Sequence, residues 1–251
     1  MICKKGDLMK QKYRLLIAFI SLFIMLSYSS VYYVKTENKK RTNIIQNEIV
    51  FKSVEDEKYV SPISDLKIKY NNEDIITELV IPSLEIDEVV TKTINNEYYL
   101  NYDVYKNYSI YGNPYMDFRI DDTLLDEKQI NIYSHNIEEK SLKNKVVFSK
   151  LEKLIDKEIF DKTKKMYLLT DEGKIEYDLY AVKLIKNDKE HMLLYANSDV
   201  EWQDHLDKLL SNTINCKGEC KLQSDAELLV LQTCYFDPKD SYLIVIGKKI
   251  K

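Results

Sequence analysis

AELLVLQTC (226–234) and YLIVIGKKI (242–250) are two runs dense in Leu, Val and Ile within a chain of 251 residues. Both read as strands. The seven residues between them, Tyr235 to Ser241, contain Pro238 and two aspartates and read as a loop. Upstream, SDVEWQDHLDKLLSNT (198–213) has helical signals. Ser198 can cap, Glu201 follows three residues later, and Trp202, Leu206, Leu209 and Leu210 form one apolar face. MYLLTDEGKIEYDLYAVKLIK (166–186) is two β-rich runs around Asp171-Glu172-Gly173, a hairpin signal. QINIYSH (129–135) sets Ile130, Ile132 and Ser134 against Asn131, Tyr133 and His135, and LVIPSLEIDEVV (79–90) alternates around Pro82 as an edge strand or bend. Many strands with few helices predict a mainly β domain, a closed or curled barrel.

Ahead of this domain, LLIAFISLFIMLSYSSVYYV (15–34) runs twenty residues without a charge, the length of a membrane-crossing helix. Lys4, Lys5, Lys10, Lys12 and Arg14 precede it, opposed by Asp7 alone, so residues 1–14 are expected in the cytoplasm and residues from about 35 onward outside. A cleaved signal peptide is the alternative, but the run exceeds the usual apolar core of one. Residues 35–74 are charged, with Ile44, Ile45, Ile49 and Val54 at near-helical spacing, and read as a linker with a helical segment that Pro62 ends. The domain proper is expected at 75–251.

Composition narrows the chemistry. A net charge of −4 argues against a dedicated nucleic-acid binder, and among 37 basic residues the arginines are only Arg14, Arg41 and Arg119. The four cysteines, Cys3, Cys216, Cys220 and Cys234, make no CxxC motif. Cys216 and Cys220 suit either a local disulfide or two loop thiols, and no metal site is expected. Cys234 ends an apolar strand and opens a polar loop, where a thiol is held rigidly yet stays reachable. A cysteine nucleophile acts as its thiolate and needs an acid–base partner. His135, at the end of its own strand, is placed alike; a buried structural cysteine is the plainer alternative. His205, between Asp204 and Leu206, reads as a solvated helix residue, and His191 as a loop residue.

YLNYDVYKNYSIYGNPYMDFR (99–119), NIYSHN (131–136) and LVLQTC (229–234) followed by a last strand resemble, in order and spacing, the sortase family of surface transpeptidases, class B most closely. The family's Tyr-Gly-His and Thr-Leu-x-Thr-Cys motifs correspond to Tyr133-Ser134-His135 and Leu229 to Cys234. The resemblance implies a closed eight-stranded sortase-type β-barrel with peripheral helices, tethered by the N-terminal helix with the catalytic domain extracellular. It implies that Cys234 attacks a threonine carbonyl in the C-terminal sorting signal of a secreted protein, and that His135 protonates the departing amine. A peptidoglycan amine then takes the acyl group, with no cofactor, ATP or metal. The resemblance breaks at one point: sortases carry an arginine at the start of the strand after the cysteine, where this chain has Ser241, Tyr242 and Leu243. Tyr242 aligns with that arginine and offers a neutral donor. Lys239 could swing in from the loop, Lys248 lies farther along the same face, and Arg119 is expected to serve structure. A catalytically weak or inactive sortase-fold binding or assembly module is the alternative, and a hydrolytic cysteine protease a further one.

Overall fold

A computed structural model describes residues 63–250 other than 125, 140, 144–145, 187–191 and 194–197. The expected anchor at 15–34, the pattern at 44–54 and His191 lie outside the described residues. Among the described residues no helix is long and apolar enough to cross a membrane.

The described residues form nine strands: β1 (Ile75–Ile81), β2 (Ile86–Thr91), β3 (Tyr115–Met116), β4 (Gln129–Tyr133), β5 (Lys165–Thr170), β6 (Gly173–Lys186), β7 (Asn215–Cys216), β8 (Leu228–Tyr235) and β9 (Ser241–Lys249). Eight of them follow one another in the order β5-β1-β2-β3-β4-β8-β9-β6, and β6 pairs back to β5, so the sheet closes on itself. The short β7 is appended to β6. At this strand number a barrel has room for side chains and little else. Leu229 and Leu231 of β8, Leu243 and Val245 of β9, and Ile130 and Ile132 of β4 fill it.

Helix α1 (Ile63–Tyr70) precedes β1, α2 (Lys157–Lys162) lies between β4 and β5, and α3 (Asp199–Leu210) lies in the long connection from β6 to β8. α1 begins at the residue that follows Pro62 in the sequence. At Pro82 the chain makes a single 3-10 turn, Pro82–Leu84, that joins β1 to β2 as an antiparallel hairpin. The 166–186 hairpin forms with Thr170 opposite Gly173, and Ser198 caps α3 by accepting the Glu201 N–H at 3.2 Å.

The continuous apolar runs of β8 and β9 have a structural cause. α3 lays Trp202, Leu206, Leu209 and Leu210 over the outer face of the barrel, onto Leu228, Val230, Ile244 and Ile246. Both faces of these two strands are therefore buried, and alternation vanishes from the sequence. Facing side chains still follow the two-residue period. Cys234 has the parity of Leu228 and Val230, Tyr242 that of Ile244 and Ile246, so both belong to the outer face.

Candidate active site

The hairpin register decides what lies beside Cys234. β8 and β9 pair antiparallel with Cys234 opposite Tyr242 and Tyr235 opposite Ser241. Directly opposed residues on one face hold their Cβ atoms about 5 Å apart. Cys234 is exposed and is the free cysteine of the described residues; Cys216 and Cys220 form a disulfide. Although a face of Cys234 is open to solvent, the surrounding protein desolvates the sulfur and pushes its thiol above the ordinary value.

His135 reaches the same level from the other side. β4 runs parallel to β8 with Tyr133 opposite Gln232. Two further residues on each strand bring His135 level with Cys234, and neighbouring strands lie about 4.8 Å apart. Contact continues past the ladder: the Ser134 N–H donates to the Gln232 carbonyl at 3.3 Å, and the Thr233 hydroxyl to the Ser134 carbonyl at 2.8 Å. His135 Nε2 donates to the Leu100 carbonyl at 2.7 Å. A carbonyl only accepts, so that nitrogen carries hydrogen and Nδ1 holds the lone pair of the neutral ring.

Asn136, which the sequence reading passed over, ties the two strand ends together. Its amide donates to the Cys234 carbonyl at 2.8 Å and to Glu152 at 2.7 Å, while its own oxygen accepts from Ser149 and from the Ile137 N–H. Nothing local in the sequence marks it, since its bond to Cys234 spans 98 residues. Tyr115, opposite Tyr133 with ring centroids 5.5 Å apart, is buried nearby. Burial, then the charges of Cys234 and Asp117, push its phenol up, so it stays a neutral O–H.

The basic residues sort themselves by position. Lys239 lies in the loop between β8 and β9, exposed, on the wall of a chamber of about 520 Å³ shared with Cys234 and Tyr242. Lys248 pairs with Leu228 at the far end of β9, roughly 20 Å of strand from Tyr242 at ~3.4 Å per residue, and cannot serve the cysteine. Arg119 makes a two-pronged bond to Asp117, Nε and Nη2 each at 2.8 Å. Asp117 is fully buried and also accepts the Tyr133 hydroxyl at 2.9 Å. Burial alone would raise this carboxyl, but the bonds from Arg119 and Tyr133 outweigh it and hold it below the ordinary range. The loop that brings these residues round depends on Gly112. Its φ is +60°, and a Cβ there would meet the Tyr99 carbonyl oxygen at 2.4 Å.

From Tyr133 the polar contacts run on along the outer face of β4, through Asn131 at 3.3 Å and Gln129 at 2.8 Å. Gln129 meets His205 Nε2 at 2.8 Å. His205 is therefore buried and stacked on Trp202, not solvated as its charged neighbour Asp204 suggests. A second, larger groove of about 790 Å³ lies beside this chain of contacts, between Phe118, Arg119, Met192, Leu193 and α3. It is the roomier space, but the thiol and its neighbours line the smaller one. Among the described residues no group of three or more His, Cys, Asp or Glu could hold a metal.

No family profile matches the chain. Sortase B of Listeria monocytogenes is 23% identical over 183 residues, 71% of this chain and 71% of that protein. Solved structures agree on the architecture. Sortase B of Clostridium perfringens superposes with a TM-score of 0.67 at 20% identity, over 75% of this chain and 99% of its own. The Staphylococcus aureus sortase B–substrate complex also gives 0.67, at 19% identity over 86% and 98%.

The fold is that of the sortase family, class B-like. In this sortase-type barrel Cys234 ends the strand β8, His135 follows β4, and the strand after the cysteine opens with Ser241, Tyr242 and Leu243. The one arginine among the described residues, Arg119, is bound to Asp117.

Proposed function

We propose that the protein is a sortase-type cysteine transpeptidase, anchored by residues 15–34 with its N-terminus in the cytoplasm and its barrel outside the cell. One observation carries this reading: an exposed free thiol at a rigid strand end, opposite Tyr242 on β9, with His135 two residues past the end of β4, the strand paired on the other side. In the first step His135 takes the Cys234 thiol proton at Nδ1 as the sulfur attacks the threonine carbonyl of a C-terminal sorting signal. The tetrahedral adduct collapses, the C–N bond breaks, and His135 gives the departing amine its proton, leaving a thioester. In the second step a peptidoglycan amine attacks the thioester. A C–N bond forms, the C–S bond breaks, and the amine's proton leaves by way of His135 as the thiol is restored.

Burial raises the Cys234 thiol, so at neutral pH little of it is thiolate and the acid–base partner is indispensable. Tyr242 offers the developing oxyanion a neutral phenol where the resemblance calls for a guanidinium, and a neutral donor is weaker than a charged one. Reduced turnover follows from this. The same two features favour a second reading, a sortase-fold surface module that binds sorting signals without cleaving them.

Cleavage of peptides bearing an Asn-Pro-x-Thr-type signal, followed by chromatography with and without an added amine, separates the readings. A transpeptidase yields the amide product. A hydrolytic protease yields mainly the free acid, and a binding module retains intact peptide.

A further inference from the structure

The chamber beside Cys234 carries a pattern of charge that the two steps above leave unexplained. Glu138, Lys239 and Asp240 line it together with Cys234, Phe236 and Tyr242, around a space of about 520 Å³. The three charged residues come from two walls. Glu138 stands three residues beyond His135, on a loop whose Asn136 is bonded to the Cys234 carbonyl. Lys239 and Asp240 stand in the loop that returns the chain to β9, just before Ser241 pairs with Tyr235. All three are exposed, and none makes an ion pair among the described residues. Two carboxylates and one ammonium thus face a common space at the reacting sulfur, without an ion pair among the described residues. The larger groove also carries charge, with Arg119, Glu201, Asp204 and Lys208 beside Phe118, Met192 and Leu193, but Cys234 does not line it.

We propose that this chamber receives the acceptor of the second step and favours a short zwitterion. Glu138 and Asp240 attract its amine as an ammonium, and Lys239 pairs with a carboxylate carried by the same molecule. The inference rests on the transpeptidase reading and adds to it the charge of the acceptor. Ammonium and carboxylate sit close enough in a short peptide for the chamber to hold both, and the ammonium gives its proton to His135 Nδ1 before the amine attacks the thioester. The side chains are exposed, so each ion pair is worth a modest factor, about twofold to fivefold, and weakens with salt.

A competition reaction tests this with the full chain. The protein is loaded with a sorting peptide and offered triglycine, triglycine amide and hydroxylamine together, and the three products are counted by mass spectrometry. Triglycine and its amide differ in one carboxylate, and hydroxylamine is uncharged. The expected product ratio of triglycine to its amide is about threefold, falling to about one in Lys239→Met and shrinking in wild type as salt rises. Glu138→Gln is expected to lower both peptide products about threefold relative to the hydroxamate. Equal use of triglycine and its amide by wild type, or a preference that survives Lys239→Met, would overturn the proposal. If no peptide loads the cysteine, the transpeptidase reading fails, and calorimetry of triglycine against triglycine amide still decides the chamber. Binding weakened about threefold by amidation upholds it, and equal or absent binding overturns it.

Discussion

Two polar assemblies share the outer face of this barrel and treat charge in opposite ways. Around Asp117 a carboxylate and a guanidinium are locked together, buried on the acid's side, with Tyr133 completing the acid's hydrogen bonds. Around Cys234 the neighbours in the β-ladder are neutral, and the site is open to solvent. The first assembly uses the single described arginine to hold a loop in place; the second does without one. A buried charge is tolerated where it is fully paired, and a reacting centre needs its donors free and aimed at charge that appears only in the transition state.

Substitutions at each assembly sharpen this contrast. The largest effect is expected from His135→Ala, which should lower kcat/KM on a sorting peptide about 10³-fold, in the range for loss of a general acid–base. Its thermal midpoint should hold within a few degrees, since its bond to Leu100 is part-buried. Asp117→Ala should act mainly on stability. It removes the carboxylate that Arg119 pairs with and the acceptor of the buried Tyr133 hydroxyl, and denaturant titration should show a loss of about 2–4 kcal/mol. If Asp117→Ala is as stable as wild type, the assembly is not the structural one. Tyr242→Arg should raise turnover about 10- to 100-fold by supplying a charged donor beside Cys234. A variant no faster than wild type, under conditions where wild type turns over, removes position 242 from the account.

The smallest effect is a control far from both assemblies. Glu78 on β1 is pushed up to about 8, by burial first and then by the hydrogen bond and charge of Asp87. Its folded pKa lies above the ordinary carboxyl value, so the folded state retains a proton that the unfolded chain gives up. The associated stability is complete below about pH 4.5 and is lost as pH rises to about 8. Glu78→Gln should flatten that slope and gain about 1 kcal/mol at pH 9, after allowance for partial exposure. Peptide cleavage should not change.

How much was legible beforehand follows from how local each feature is. The β8–β9 hairpin, the Asp171-Glu172-Gly173 turn and the capped helix α3 rest on residues close in sequence, and their patterns announced them. The return of Ser241 to Leu243 to the cysteine end was legible for the same reason, whereas which of them opposes Cys234 is set by the ladder register. His205 was misread because its partner Gln129 lies 76 residues away, and only barrel closure brings them together. Asn136 was missed for a like reason. Its bond to Cys234 spans 98 residues, and an asparagine beside a histidine carries no periodicity to betray it. The disulfide between Cys216 and Cys220 was an open alternative because a four-residue spacing permits bonding without requiring it.

The central claim is that Cys234 takes up an acyl group, and intact-protein mass spectrometry tests it most directly. After incubation with a sorting peptide and no amine, the account predicts a mass gain equal to the fragment ending in threonine. Digestion should locate it on Cys234, hydroxylamine should remove it, and Cys234→Ala should never acquire it. An unmodified, reduced Cys234 across a panel of such peptides would contradict the account.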